Sequence, residues 1–126
     1  MTIIRKLGIW MDHASAHVIA LADPIITHTV VSDSTHEEKE ETLQKGEKLM
    51  HNKEQQQQLH YYKKLGESIR NYDEVLLFGP TDAKVELLNI LKADKQFDKI
   101  KIETKQSDKM TENQEHAFVR EYFSKR

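Results

Sequence analysis

The sequence predicts a single small α/β domain with a mixed β-sheet, and three features of its hydrophobic pattern lead to this prediction. The first third of the 126-residue chain contains three short apolar segments, partly β-branched, with turn residues between them. Residues 49–72 then show the period of 3.6 that is typical of an amphipathic helix. After residue 73, strand patterns alternate with helical patterns, as in βα units. The predicted order is therefore βββαβαβα, in one domain over residues 1–126.

The first three strands are predicted at residues 2–10, 16–22 and 25–31. Turn-forming residues follow the first strand at Asp12, and Asp23-Pro24 separates the second from the third, because proline restricts its own backbone and that of the residue before it. Both connections are short, so these three strands are expected to form an antiparallel meander.

The sequence becomes strongly polar after the third predicted strand. Residues 33–48 contain Leu43 as their one large apolar side chain, which is too little to offset the entropy lost on ordering, so we expect a mobile polar loop there. The next segment predicts a helix from Leu49 to Tyr72. Its apolar stripe is confined to the C-terminal half and consists of Leu59, Tyr62, Leu65, Ile69 and Tyr72. The polar N-terminal half is expected to project beyond the sheet.

The last third predicts two βα units. The apolar run at residues 74–78 is typical of a strand covered on both faces, and a helix capped by Thr81 or Asp82 should follow Gly79-Pro80. The apolar positions of that helix are Val85, Leu87, Leu88, Ile90 and Leu91. Residues 99–104 alternate as a half-buried strand does. A capping box from Thr111 to Gln114 then begins a last helix, with Ala117, Phe118, Tyr122 and Phe123 facing inward.

Composition restricts the classes of function. The chain has no cysteine, which excludes disulfides, thiolate nucleophiles and cysteine-based zinc sites. Its net charge of −2 gives no global attraction to nucleic acid or anionic lipid. No segment has the length and apolarity of a membrane span or a signal peptide, so the expected location is the cytoplasm and no membrane partner is expected.

The predicted order is the ribonuclease H-like arrangement, and three segments point to a known family. They are Ile9–His13 with Ala16 and Val18; Leu76–Pro80 with Ala83, Lys84 and Leu87; and Ile102–Thr104 with Thr111, Gln114, Tyr122 and Phe123. Together they resemble the short bacterial proteins related to archaeal and eukaryotic peptide-chain release factors and to Pelota. The resemblance is to the middle domain of those factors, and it covers nearly the whole chain except residues 33–48.

This resemblance implies association with the ribosome, ribosomal RNA or a translation factor, because those factors act in translation. It does not carry over peptide release, for which the family uses a Gly-Gly-Gln loop. The corresponding residues 33–48 contain Gly46 but no Gly-Gly-Gln, and their first half is acidic, which would oppose RNA phosphates. We therefore expect a non-catalytic binding module.

The expected interaction surface is the loop at residues 33–48 together with the polar, basic start of the long helix. Its candidate partner-binding residues are Lys48, His51, Lys53, His60, Lys63 and Lys64, supported by Arg70 and by Tyr61. The alternative interpretation is an ordinary solvated helix face, in which Glu54 dilutes the positive charge.

Two other functions compete with this hypothesis. A ribonuclease H-type nuclease would use Asp12 as a metal ligand, with Glu86 or Glu112 nearby, although Asp12 also fits a turn residue between two strands. A homo-oligomeric module would self-associate through a polar helix or a sheet edge. The seven histidines predict no specific metal site, and residues 79–82 suit a tight βα connection better than a phosphate site. No cofactor is expected.

Overall fold

A mixed five-stranded sheet forms the centre of the protein. The computed structural model describes residues 4–22, 24–32 and 47–124. The strands are β1 (Lys6–Met11), β2 (Ser15–Ala20), β3 (Ile26–Val31), β4 (Glu74–Gly79) and β5 (Lys101–Gln106), in the spatial order β3-β2-β1-β4-β5. The first three strands form the predicted antiparallel meander, and β4 and β5 extend β1 in parallel.

Three α-helices and a short 3₁₀-helix complete the part of the chain that the structure describes. They are α1 (Glu47–Ile69), α2 (Ala83–Lys92), the 3₁₀-helix Lys95–Phe97 and α3 (Glu112–Ser124). Helix α1 includes residues 47 and 48, which were predicted to belong to the loop, whereas residues 33–46 of that predicted loop lie outside the described residues. None of the described helices combines the length and the apolarity needed to cross a membrane.

The helices lie on both faces of the sheet and enclose two apolar clusters. Helices α1 and α2 pack on one face, where β1 contributes Leu7, Ile9 and Met11. Helix α3 packs on the other face, where β1 contributes Trp10. Successive side chains of a strand point to opposite faces, so a strand between two helical layers must be apolar on both. The near-continuous apolar sequence of β1 and β4 has this cause.

The buried face of α1 is rotated relative to the prediction. Leu59 was expected in the buried stripe but is 57% exposed, and Tyr61 was expected on the partner surface but is fully buried. The hydroxyl group of the buried Tyr61 has a partner, since it donates a hydrogen bond of 2.9 Å to the backbone oxygen of Asp12. Tyr61, Tyr62, Leu65 and Ile69 therefore form the stripe, and Leu59 faces outward.

The last helix begins as predicted. The Thr111 hydroxyl accepts from the backbone N–H of Gln114, and the Gln114 side chain accepts from the backbone N–H of Thr111. This reciprocal pair is the capping box that the sequence indicates. Its buried face differs from the prediction, since Ala117 is exposed whereas Glu115 and Val119 are fully buried.

Candidate functional site

The predicted partner-binding residues all lie on α1, but the structure describes only part of them. His60 and Lys63 are exposed and Lys64 is half-buried. His60 and Lys64 already have interaction partners. The remaining three candidates, Lys48, His51 and Lys53, belong to the same helix, but their side chains lie outside the described residues.

A groove between α1 and α2 lies beside this helix face. It has a volume of about 180 Å³, and its apolar lining consists of Leu59, Tyr62, Gly66, Ile90, Leu91 and Phe97. Leu59 and Ile90 are 57% and 40% exposed, which is unusual for aliphatic side chains of that size on both walls of one groove. The groove therefore presents apolar surface that the fold itself does not cover.

Gly66 gives the groove its depth. A methyl group at this position would meet the Phe97 ring at 3.4 Å and the Leu91 side chain at 3.5 Å, which is ordinary van der Waals contact. The helix could therefore hold an alanine here without strain, and the glycine leaves the floor of the groove open.

Charged side chains of both signs surround the apolar floor. Lys63, Glu67 and Arg70 line it from α1, and Asp94 lines it from the segment after α2. Across the part of the chain that the structure describes, neither Lys63 nor Arg70 forms a salt bridge. An apolar centre with a charged rim is the usual organisation of a protein-binding surface. The two carboxylates would oppose RNA phosphates, so this groove suits a protein segment better than nucleic acid.

A hydrogen-bonded chain of three side chains lies at one end of the groove. The Tyr62 hydroxyl group donates to Glu86 Oε1 at 2.7 Å, and His13 Nε2 lies 3.1 Å from Glu86 Oε2. The hydrogen bond from Tyr62, and next the contact with His13, lower the pKa of Glu86 below its ordinary value of 4.5. Burial, and then Glu86, raise the pKa of Tyr62. The chain links the β1–β2 turn to α1 and α2.

The sequence did not predict this contact. Glu86 was considered as a partner of Asp12, but the structure places it against the neighbouring His13. The turn after β1 and the first turn of α2 meet because β1 and β4 are parallel neighbours. The contact between His13 and Glu86 could have been predicted only if the parallel pairing of β1 with β4 had been known.

Asp12 has the role of a turn residue. Its Oδ1 accepts hydrogen bonds of 2.8 Å from the backbone N–H groups of Ala14 and Ser15, which confirms the turn interpretation. Within the described ranges, no three His, Asp or Glu side chains lie close enough together to hold a metal ion. The other carboxylate considered for a nuclease, Glu112, lies 3.8 Å from His116 on α3.

The connection between β4 and α2 is filled by the protein itself. Lys84 is 4% exposed, and its Nζ donates to Gly79 O at 3.1 Å, Thr81 O at 2.6 Å and Gln106 Oε1 at 2.9 Å. Gly79 has a φ of 152°, and a side chain there would lie 2.1 Å from Met11 O. The tight-connection interpretation of residues 79–82 is therefore confirmed.

A buried hydrogen-bonded pair of side chains on the opposite face was also missed. Glu115 is fully buried, and its two oxygens lie 2.8 and 2.9 Å from His17 Nδ1. The ring of Trp10 stacks on His17 at 5.2 Å. A fully buried carboxylate is rare and needs such a partner. The position of Glu115 in the sequence of an amphipathic helix did not indicate that it is buried against His17.

These features define a class: a small α/β domain with an open, apolar-lined groove between two of its helices. The chain matches no family model and no curated protein. Among solved structures it is similar to the crystal structure of the Thermoplasma acidophilum Pelota protein, with a TM-score of 0.58 and 12% sequence identity. That similarity covers 94% of this chain and 32% of the Pelota chain, so this chain spans about a third of that protein. At this identity the likeness shows a Pelota-like fold.

Proposed function

We propose that the protein is a non-catalytic, translation-associated binding module of the cytoplasm. The observation that carries this proposal is that 94% of the chain has the fold of one part of a Pelota protein. The sequence segments that resemble the middle domain of release factors and Pelota also support a role in translation. We also propose that the fold is of the ribonuclease H-like kind, with the element order βββαβαβα.

The groove between α1 and α2 is the proposed contact surface. Its apolar lining suits an inserted apolar side chain. Lys63 and Arg70, which form no salt bridge with any residue that the structure describes, suit acidic groups beside that side chain. The mixed charges of the rim favour a protein of the translation machinery, such as a translation factor or a ribosomal protein, over ribosomal RNA.

A binding role without catalysis is supported by what the polar groups already do. Asp12 holds a turn, Lys84 holds the β4–α2 connection, and Glu86 is bonded to Tyr62 and His13. Each of these groups makes hydrogen bonds within the protein itself.

Co-sedimentation with ribosomes tests the proposal. The wild-type protein is expected to pellet with ribosomes at low salt and to be released as salt increases, because charged contacts are screened. Absence of the protein from the pellet at low salt would contradict the proposal.

Charge reversal tests the surface. The double variant Lys63→Glu/Arg70→Glu is expected to lose most of the co-sedimentation. The matched control, Lys109→Glu/Arg120→Glu, reverses two exposed charges that do not line the groove and should pellet as the wild type does. Equal loss in both variants would mean that overall charge, and not the groove, governs binding.

A photo-crosslinking residue in place of Leu59 identifies the partner. Leu59 is exposed at the groove, so substitution should not disturb the core. We expect cross-links to protein. Cross-links to ribosomal RNA alone would contradict the assignment of a protein partner.

A further inference from the structure

The two edges of the sheet differ in how they are protected. Edge strand β5 has the sequence KIETKQ, whose charged side chains discourage pairing with another strand. Edge strand β3 has the sequence ITHTVV, with no Lys, Arg, Asp, Glu or Pro. Its end residues Ile26 and Val31 are 61% and 55% exposed. An uncharged, β-branched edge is the kind that accepts another strand.

The register of β2 and β3 identifies the backbone groups that face outward. The N–H of Ser32 donates to Ala14 O at 2.8 Å, and these two residues are opposite each other in the β2–β3 register. Hydrogen-bonded pairs alternate along an antiparallel ladder, so Val30, His28 and Ile26 bond inward to β2. The N–H and C=O groups of Thr27, Thr29 and Val31 therefore point away from the sheet. In the described ranges, no residue pairs with these groups.

The β3 edge is self-complementary. If two β3 strands pair antiparallel about a twofold axis at Thr29, Thr27 lies opposite Val31 of the other copy, and Thr29 lies opposite itself. All three outward-facing residues then find partners, which gives about six backbone hydrogen bonds. The same axis sets His28 against Val30, so no two like charges meet.

We propose that a second copy of this chain pairs with the first through β3, in a twofold-symmetric dimer with one continuous sheet. The occupant is a second copy because the strand is neutral and its outward groups match those of its own image. A second copy makes every contact across the axis twice, which a partner of another sequence does not. The dimer leaves the groove between α1 and α2 outside the strand pairing, so it is independent of the proposed translation partner.

Light scattering and sedimentation equilibrium test the dimer with the purified full chain. The expected mass at high concentration is twice the 14.8 kDa of the chain, falling towards 14.8 kDa on dilution. A mass of one chain at every soluble concentration would overturn the proposal.

A proline at the centre of the edge tests the interface. Thr29→Pro removes an outward N–H without removing a hydrogen bond to β2, so the variant should fold but remain a monomer. The matched control is Thr104→Pro on β5. Lys101 N–H and Ser107 N–H bond inward to the β4 side, so the N–H of Thr104 points outward in the same way. The control should fold and dimerise. Dimerisation of Thr29→Pro would place the contact elsewhere and refute this interface.

Engineered cross-linking provides a test that does not depend on the proline variants. The chain has no cysteine, so Thr29→Cys introduces a single thiol. Across the proposed axis the two Cα atoms lie about 5.5 Å apart, which suits a disulfide. Mild oxidation should give a covalent dimer, whereas Thr104→Cys should not. Equal cross-linking of the two variants would reflect random collision and count against the dimer.

Discussion

Replacing Lys84 with methionine tests the connection between β4 and α2. Lys84 donates three hydrogen bonds at 3.1, 2.6 and 2.9 Å, and it is almost fully buried. Methionine has a similar length, so it should fill the space and leave the three acceptors without this donor. Two of these acceptors still have another hydrogen-bond donor. Gly79 O still accepts from Ser107 N–H at 3.1 Å, and the Gln106 side chain is exposed to water.

The size of the effect follows from two opposing terms. Hydrogen bonds to a charged group contribute roughly 1.5–3 kcal/mol each. Burial of the ammonium group opposes this by several kcal/mol, and methionine removes that penalty. We therefore expect Lys84→Met to lower the free energy of unfolding by about 2 kcal/mol, which is the order typical of a broken buried network.

Urea denaturation followed by circular dichroism measures this difference. The control is Lys92→Met, which removes an exposed lysine from the same helix and should change stability by less than about 0.5 kcal/mol. If Lys84→Met were as stable as Lys92→Met, the three hydrogen bonds would not stabilise this connection, and the reasoning would be wrong.

Three further outcomes are expected. Gly79→Ala should lower stability by at least about 3 kcal/mol, because the new methyl group would lie 2.1 Å from Met11 O at a φ of 152°; thermal unfolding measures it. Gly66→Ala should raise the free energy of unfolding by about 0.5–1 kcal/mol, because the added methyl group fits in the middle of the helix. The same variant should weaken co-sedimentation with ribosomes, because the methyl group makes the groove less deep. Tyr62→Phe should flatten the pH dependence of stability in acid. The lowered pKa of Glu86 stabilises the fold above pH 4.5, and that contribution is lost as the pH falls.

For each of these three variants, one result would contradict the structural reason given for the prediction. A stable Gly79→Ala variant would mean that the close approach of β1 is not needed. An unchanged co-sedimentation of Gly66→Ala would separate the groove from partner binding. Denaturation curves that keep the wild-type pH slope in Tyr62→Phe would show that the exposed Glu86 is screened by water, as many surface pairs are.

The strands and the helix start were predictable because their causes are local. The apolar run of β4, the turn at Asp12 and the capping box at Thr111 each depend on residues within a few positions of one another. The faces of the helices were less predictable. Leucine is more often fully buried than tyrosine, yet Leu59 is exposed, whereas Tyr61 is buried with its hydroxyl group bonded to Asp12 O.

The candidate site was predictable only in its location on α1. Lys63 was recognised from its charge, but the groove beside it depends on Phe97 and Ile90, which follow in the sequence by more than 25 positions. The contact between His13 and Glu86 spans 73 positions. Such contacts arise from strand pairing, and a hydrophobic pattern carries no information about which helix lies beside which turn.

The pairing of Glu115 with His17 has a consequence for folding. The two residues are 98 positions apart, and a buried carboxylate without its partner is strongly unfavourable. The first hairpin, which supplies His17, therefore stabilises the packing of helix α3 on the sheet. Because this contact joins residues far apart in the sequence, it adds a loop-closure cost to the folding of this face of the sheet.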